Sequence, residues 1–213
     1  MKQNKLTFFP KLAATVKSLP IDSISGERKD LLQVLIQYIR QKLDDEKDVK
    51  LNFICTHNSR RSQFAQIWAQ TAADYYGIEV KCHSGGVEVA SFNERAVETI
   101  KGAGFMVTKK GKRNPIYSIF HSQDAEPISA FSKLYDDPIN PTSKFSAIMT
   151  CSHADENCPY IPGVEARISL NYEDPKEYDG TPRERIEYNE RSKQIATEMF
   201  YVFSMFETTV KAT

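Results

Sequence analysis

The period of apolar residues changes several times along the chain, and each change predicts an element. Leu32, Leu35, Ile36, Ile39 and Leu43 fall at i, i+3, i+4, i+7 and i+11, the single stripe of an amphipathic helix, and Ser25 is placed to cap it. Gln37, Arg40, Gln41 and Asp44 lie off that stripe. A shorter helix is predicted from about Pro10, stopping before Pro20, and Asp44-Asp45-Glu46-Lys47-Asp48 reads as a charged linker. Val49 to Ile54 then alternates apolar and polar residues as a strand does. From Gln63 to Gln70 the spacing is helical again, with Phe64, Ile67, Trp68 and Tyr75 inward and Gly77 as the stop. Ile78 to Ser84 alternates like a second strand and ends in Gly85-Gly86. Asn93 to Ala103 predicts a helix with Ala96, Val97 and Ile100 inward, stopped by Gly104.

The second half reads less regularly. The basic run Lys109 to Arg113 is expected to be a solvated turn. Ile116 to Phe120 and Ile128 to Tyr135 are strand-like and predict a hairpin. Phe145 to Thr150 is expected to be the last core strand. A final helix is predicted from about Pro182 to Glu207, with Ile186, Ile195, Met199, Val202 and Phe206 inward. Strands alternating with helices imply a parallel sheet with helices on both faces. Residues 1–48 are expected to form an N-terminal helical extension and linker, and residues 49–213 the main domain.

Composition removes several classes of function. Lys+Arg and Asp+Glu are equal at 28 each, so no global field points to nucleic acid or to a membrane surface. No apolar run approaches the length of a transmembrane helix, and Phe8-Phe9-Pro10-Lys11 interrupts any signal-like apolar core near the N-terminus. Four cysteines in 213 residues do not make a disulfide scaffold. A cytoplasmic protein with working thiols is the expectation.

The candidate chemistry begins at Cys55-Thr56-His57-Asn58-Ser59-Arg60-Arg61-Ser62, between the first strand and the helix after it. A strand, a tight loop and a helix N-terminus make an anion cradle, because loop N–H groups converge on one point and the helix end adds positive potential. Arg61 can hold two oxyanion oxygens with its planar fork. In that field Cys55 is expected to be a thiolate at neutral pH, a nucleophile at the floor of an oxyanion pocket that attacks phosphorus or an analogue such as arsenic.

A second constellation is Cys151-Ser152-His153-Ala154-Asp155-Glu156-Asn157-Cys158-Pro159. Two cysteines seven apart allow a zinc half-site completed by His153 with His57 or His83, inert packing, or a redox pair that closes if the segment unwinds. The C-x2–4-C spacing of zinc sites is missing, and the polar surroundings disfavour packing. Cys82 sits inside a strand and reads as a packing residue. Asp174, followed by Pro175, is the candidate general acid, with Glu173 as the lesser one.

C-x5-R-S between a strand and a helix resembles the phosphate loop of the low-molecular-weight protein tyrosine phosphatases and of their relatives, the thioredoxin-coupled arsenate reductases. Cys55, Asn58, Ser59, Arg61 and Ser62 carry the match. The Cys151 to Pro159 run resembles the redox helix of the reductases, and Asp174-Pro175 resembles the acid loop of both branches. The resemblance covers roughly residues 49–207 and implies a small twisted parallel sheet of about four strands, phosphatase-I type, flanked by helices. It also implies that Cys55 attacks arsenate and that Cys151 and Cys158 relay electrons from a thioredoxin-like reductant. Residues 56–62, His57 and Arg60 included, would hold the small oxyanion.

The chain departs from the family's pattern at four places. His57 replaces a usual glycine, Arg60 stands where many relatives carry a second cysteine, Gln66 stands where reductases with a potassium site tend to carry Glu, and Tyr160-Ile161-Pro162-Gly163 follows Pro159 where reductases often show a different Pro-rich run. No metal and no organic cofactor are expected. Hydrolysis of phosphotyrosine or another phosphomonoester is the alternative, for which Trp68, Tyr172 and Tyr178 could supply an aromatic wall. An oxyanion-binding module without turnover is the non-enzymatic rival.

Overall fold

A computed structural model describes residues 6–157 and 160–206. Its centre is a four-stranded sheet in the order β2-β1-β6-β7, with every neighbouring pair parallel. The strands are β1 (Val49–Cys55), β2 (Val80–Gly86), β6 (Phe145–Met149) and β7 (Val164–Ser169). A second sheet is antiparallel and joins β3 (Met106–Lys110), β4 (Ile116–Phe120) and β5 (Ile128–Ala130) in that order. The helices are α1 (Pro10–Lys17), α2 (Gly26–Asp44), α3 (Arg61–Tyr76), α4 (Glu94–Ala103), α5 (Ser152–Asn157) and α6 (Glu184–Ser204). Among the described residues, no helix is long and apolar enough to cross a membrane.

The parallel sheet divides two apolar clusters. Val49, Leu51 and Phe53 of β1 enter the larger one with Trp68 of α3 and Phe200 of α6. Ile54 turns to the other face, where it joins Ala147, Met149, Ala154 of α5 and Ile161. This is the alternation of a strand buried on both sides. The N-terminal residues share the larger cluster: Leu12, Leu32, Leu35, Ile36 and Ile39 are all fully buried in it. Ser25 caps α2 by accepting from the Arg28 N–H at 3.3 Å. Gly77 ends α3 with a left-handed φ of 68°.

Three expectations are corrected. Phe145–Met149 is not the last core strand, because β7 follows it and pairs with it in parallel. Lys109 and Lys110 belong to β3 and not to a turn; β3 is an edge strand, where outward lysines discourage pairing with another chain. Ile186 lies more than half exposed, because the first turn of α6 projects past the core that Ile195, Met199, Val202 and Phe206 enter.

The parallel arrangement positions the site. Cys55 ends β1, Gly86 ends β2, Cys151 lies two residues past the end of β6, and Asn171 to Asp174 follow β7. All four lie at the carboxyl edge of one sheet, where open α/β folds place their ligands.

Candidate active site

The loop from Cys55 to Ser62 is shaped by Asn58. Its φ of 47° is in the left-handed region, which asparagine tolerates better than most side chains. Its side-chain oxygen accepts from the Lys133 N–H at 3.1 Å, and its Nδ2 donates to Ser62 Oγ at 2.8 Å. Ser62 Oγ lies 3.1 Å from Cys55 Sγ. Because that hydroxyl already accepts from Asn58, its own proton is free to be donated to the sulfur. Gln63 Nε2 adds bonds to the Asn58 and Phe131 carbonyls, and Ser132 Oγ donates to the His57 carbonyl. The backbone N–H groups of residues 57 to 60 bond to no described residue. A buried loop with unspent N–H groups beside a cysteine is what an oxyanion would complete.

Gly86 explains how close the loop can lie to β2. A Cβ there would stand 2.5 Å from the Glu88 carbonyl oxygen and 2.8 Å from the Asn58 nitrogen. Only a residue without a side chain permits that approach. Gly85, next to it, is as tightly set against the Tyr135 backbone.

Two arginines and one carboxylate form the second part of the site. Arg60 Nε donates to Asp174 Oδ1 at 2.9 Å, and Arg61 Nη2 donates to Asp174 Oδ2 at 2.8 Å. Arg61 Nη1 donates to the Tyr172 carbonyl at 2.9 Å, while its Nε is buried with no hydrogen-bond partner among the described residues. Burial alone would raise the Asp174 pKa, but the charges of Arg61 and then Arg60 outweigh it and hold the carboxyl below its ordinary range. Arg61, Ser152, Asp174 and Tyr178 flank an open cleft of about 720 Å³.

The third part is Cys151. It is buried, and the Thr56 hydroxyl, one residue past Cys55, lies 3.5 Å from its sulfur. The same hydroxyl is 3.2 Å from His153 Nδ1. The Ala154 N–H donates to Cys151 Sγ at 3.4 Å, so α5 begins on the sulfur. Asp155 ties α5 to β7 through Arg167 and Ser169. Cys158 lies outside the described residues.

Of the remaining expected positions, Ser59 donates to the Ser91 carbonyl at 2.7 Å. His57 turns its ring to Glu88, Nε2 to Oε2 at 3.2 Å, with nearly half of the side chain exposed. Glu173 is almost fully exposed and pairs with Arg191. Trp68 is buried in the core and donates to Ser192 at 2.9 Å, so it offers no wall to a substrate. Cys82 is buried in β2.

This geometry can be set beside known proteins. The family model for low-molecular-weight phosphotyrosine protein phosphatases matches residues 50–120. An arsenate reductase 2 of Staphylococcus saprophyticus is 31% identical over 144 residues, spanning 67% of this chain and 92% of its own length. The chain belongs to the low-molecular-weight protein tyrosine phosphatase superfamily, with its arsenate reductases.

An arsenate reductase of Bacillus cereus is 29% identical over 154 residues, covering 71% of this chain and 96% of its own. A low-molecular-weight protein tyrosine phosphatase of T. tengcongensis superposes with a TM-score of 0.52 at 15% identity, over 74% of this chain and 99% of that one; this likeness shows the fold. For a member of this enzyme superfamily, the groups that sequence reasoning missed are those supporting the segment from Tyr172 to Asp174. Tyr172 donates to Glu198 Oε2 at 2.7 Å, and Glu198 is held by Arg28, which also stacks over the Tyr172 ring at 4.7 Å. No local spacing signals a contact between residues 28, 172 and 198.

Proposed function

We propose that this chain reduces arsenate to arsenite, with Cys55 as nucleophile and Cys151 and Cys158 as an electron relay to a thioredoxin-like reductant in the cytoplasm. The observation that carries this reading is Cys151 set against Thr56, at the wall of the oxyanion loop. Hydrolysis of a phosphate ester has no use for a second thiol there.

Arsenate seats on the loop N–H groups and on Arg61 Nε. Its negative charge competes with Asp174 for Arg61, and the Asp174 carboxyl, losing part of its pairing and gaining an anionic neighbour, takes up a proton. Cys55 Sγ attacks arsenic, and Asp174 gives that proton to the departing oxygen, which leaves as water. Cys151 Sγ then attacks Cys55 Sγ. The S–As bond breaks with its electron pair going to arsenic, so As(V) becomes As(III) and arsenite leaves a Cys55–Cys151 disulfide. Cys158 attacks Cys151, frees the Cys55 sulfur and moves the disulfide to Cys151–Cys158, which a dithiol reductant opens.

The second reading is phosphomonoester hydrolysis, for which Cys55, Arg61 and Asp174 suffice; Tyr178 beside the cleft favours it as a wall for a phenyl ring. The test is arsenate-dependent NADPH consumption with thioredoxin and its reductase, run beside p-nitrophenyl phosphate hydrolysis. Arsenate turnover that disappears in Cys151→Ser and in Cys158→Ser supports the reductase. Ester hydrolysis indifferent to both substitutions but lost in Cys55→Ser, without arsenate turnover, assigns the phosphatase.

A further inference from the structure

Segment 131–133 has two sides. On one, Ser132 Oγ and the Lys133 N–H hold the oxyanion loop at His57 and Asn58. On the other, Phe131 and Lys133 line a cavity of about 670 Å³ that also meets α3 and β2. Its remaining walls are largely apolar, with Leu6, Ile78 and Ile128 among them. Neither Cys55 nor Arg61 nor Asp174 contributes to it.

Lys133 is the unusual wall residue. It is only 4% exposed, and its ammonium makes no ion pair or hydrogen bond to a described residue. It sits over the Phe131 ring, 4.6 Å from Nζ to the centroid. A largely buried cation that makes no direct ion pair is costly unless an anion or water meets it where it opens on the cavity; the charge of Asp137 reaches Lys133 without a direct contact. Burial pushes the Lys133 pKa down to about 8, with the charge of Asp137 pulling the other way. Burial also lowers His83, on the same cavity, to about 4, assisted by Lys133 and then Lys81, so its ring is neutral at pH 7.

We propose that this cavity binds a small organic monocarboxylate, its carboxylate on Lys133 Nζ and its apolar body against Phe131, Ile78 and Ile128. Lys133 is the buried cation of the cavity, whereas Lys81, its other lysine, is exposed, so one negative charge is matched in the buried part. Asp74, Glu79 and Glu126 also line the cavity and would repel a dianion such as phosphate. The apolar lining asks for more than an inorganic ion. An occupant would brace the segment that holds Asn58, so the two sites share a wall.

Phenylacetate is a suitable probe, with the neutral phenylacetamide as control, followed by amide NMR on the full chain at pH 7. Saturable shifts centred on Phe131 to Lys133 with phenylacetate, and none with phenylacetamide, are expected. Lys133→Met should fold, since it replaces a largely buried ammonium that makes no direct ion pair with an apolar side chain of similar length, and should bind phenylacetate at least about tenfold more weakly. The proposal is overturned if phenylacetate gives no saturable shift, if the amide binds equally, or if folded Lys133→Met binds like wild type. Displacement of phenylacetate by arsenate would place it in the oxyanion loop and overturn the proposal equally.

Discussion

Arg28 of α2 grips Glu198 of α6 with two hydrogen bonds, Nε to Oε1 at 2.9 Å and Nη2 to Oε2 at 2.8 Å. Glu198 in turn holds the Tyr172 hydroxyl, and the Tyr172 carbonyl accepts from Arg61. A residue from the N-terminal helices is thus three contacts from Arg61. Breaking the pair from one side leaves a carboxylate buried to 2% exposure without its cation. Arg28→Met is therefore expected to destabilise the chain by about 2–4 kcal/mol, somewhat less than for a fully buried pair because Arg28 is partly exposed. Urea unfolding measures this. Arg28→Met/Glu198→Leu should recover most of the loss, whereas activity should stay low in both if Asp174 is the general acid, because the segment that carries it has lost its support.

Asp174 makes a prediction with a definite sign in pH. Its folded pKa lies below its unfolded value of about 3.9, so it stabilises the fold at pH values above that figure. The contribution is lost as pH falls through the depressed folded value. Wild type should exceed Asp174→Asn in stability at pH 7, and the gap should close in strong acid. Equal stabilities at pH 7 would show that the two arginines gain nothing from the carboxylate. If Asp174 is the general acid, the same variant should also lose about 10²–10⁴-fold in the rate of the first chemical step.

Much of this arrangement was legible because it is local. The loop from Cys55 to Ser62 lies within eight residues, and the strand before it and helix after it are visible as changes of period. The α2 stripe was equally plain, since burial of one helical face leaves a regular imprint. β7 was missed because Glu165 and Arg167 interrupt its apolar residues and a half-covered edge strand requires few of them. The doubling of Asp174 onto Arg60 and Arg61 was invisible for another reason. Sequence offered Asp174 as an acid and Arg61 as a clamp, but only the fold brings residues so distant in the chain into one ion-paired group.

Gly86→Ala tests how tightly β2 presses on the loop. The added methyl would have to displace backbone atoms of Glu88 and Asn58. A cost of about 1–3 kcal/mol in stability is expected from overpacking. Turnover should fall further, by about 10²-fold, because the loop must shift relative to Cys55. Titration calorimetry with arsenate on the folded variant would report the accompanying loss of oxyanion affinity.

Ser62→Ala removes the hydroxyl that stands between Asn58 and Cys55. The loss of one such bond is worth about 1–1.5 kcal/mol, close to tenfold in rate. Single-turnover kinetics should show that loss in the step in which Cys55 attacks, with little change in the thiol exchange that follows.

In the proposed relay the buried Cys151 completes the chemistry begun at Cys55, and one stoichiometric measurement addresses it. Reduced Cys158→Ser protein is mixed with excess arsenate and no reductant, the arsenite released is quantified, and the disulfide is mapped by peptide mass. One arsenite per chain and a Cys55–Cys151 linkage are predicted. Folded protein that binds arsenate yet releases no arsenite and keeps both thiols free would contradict the relay.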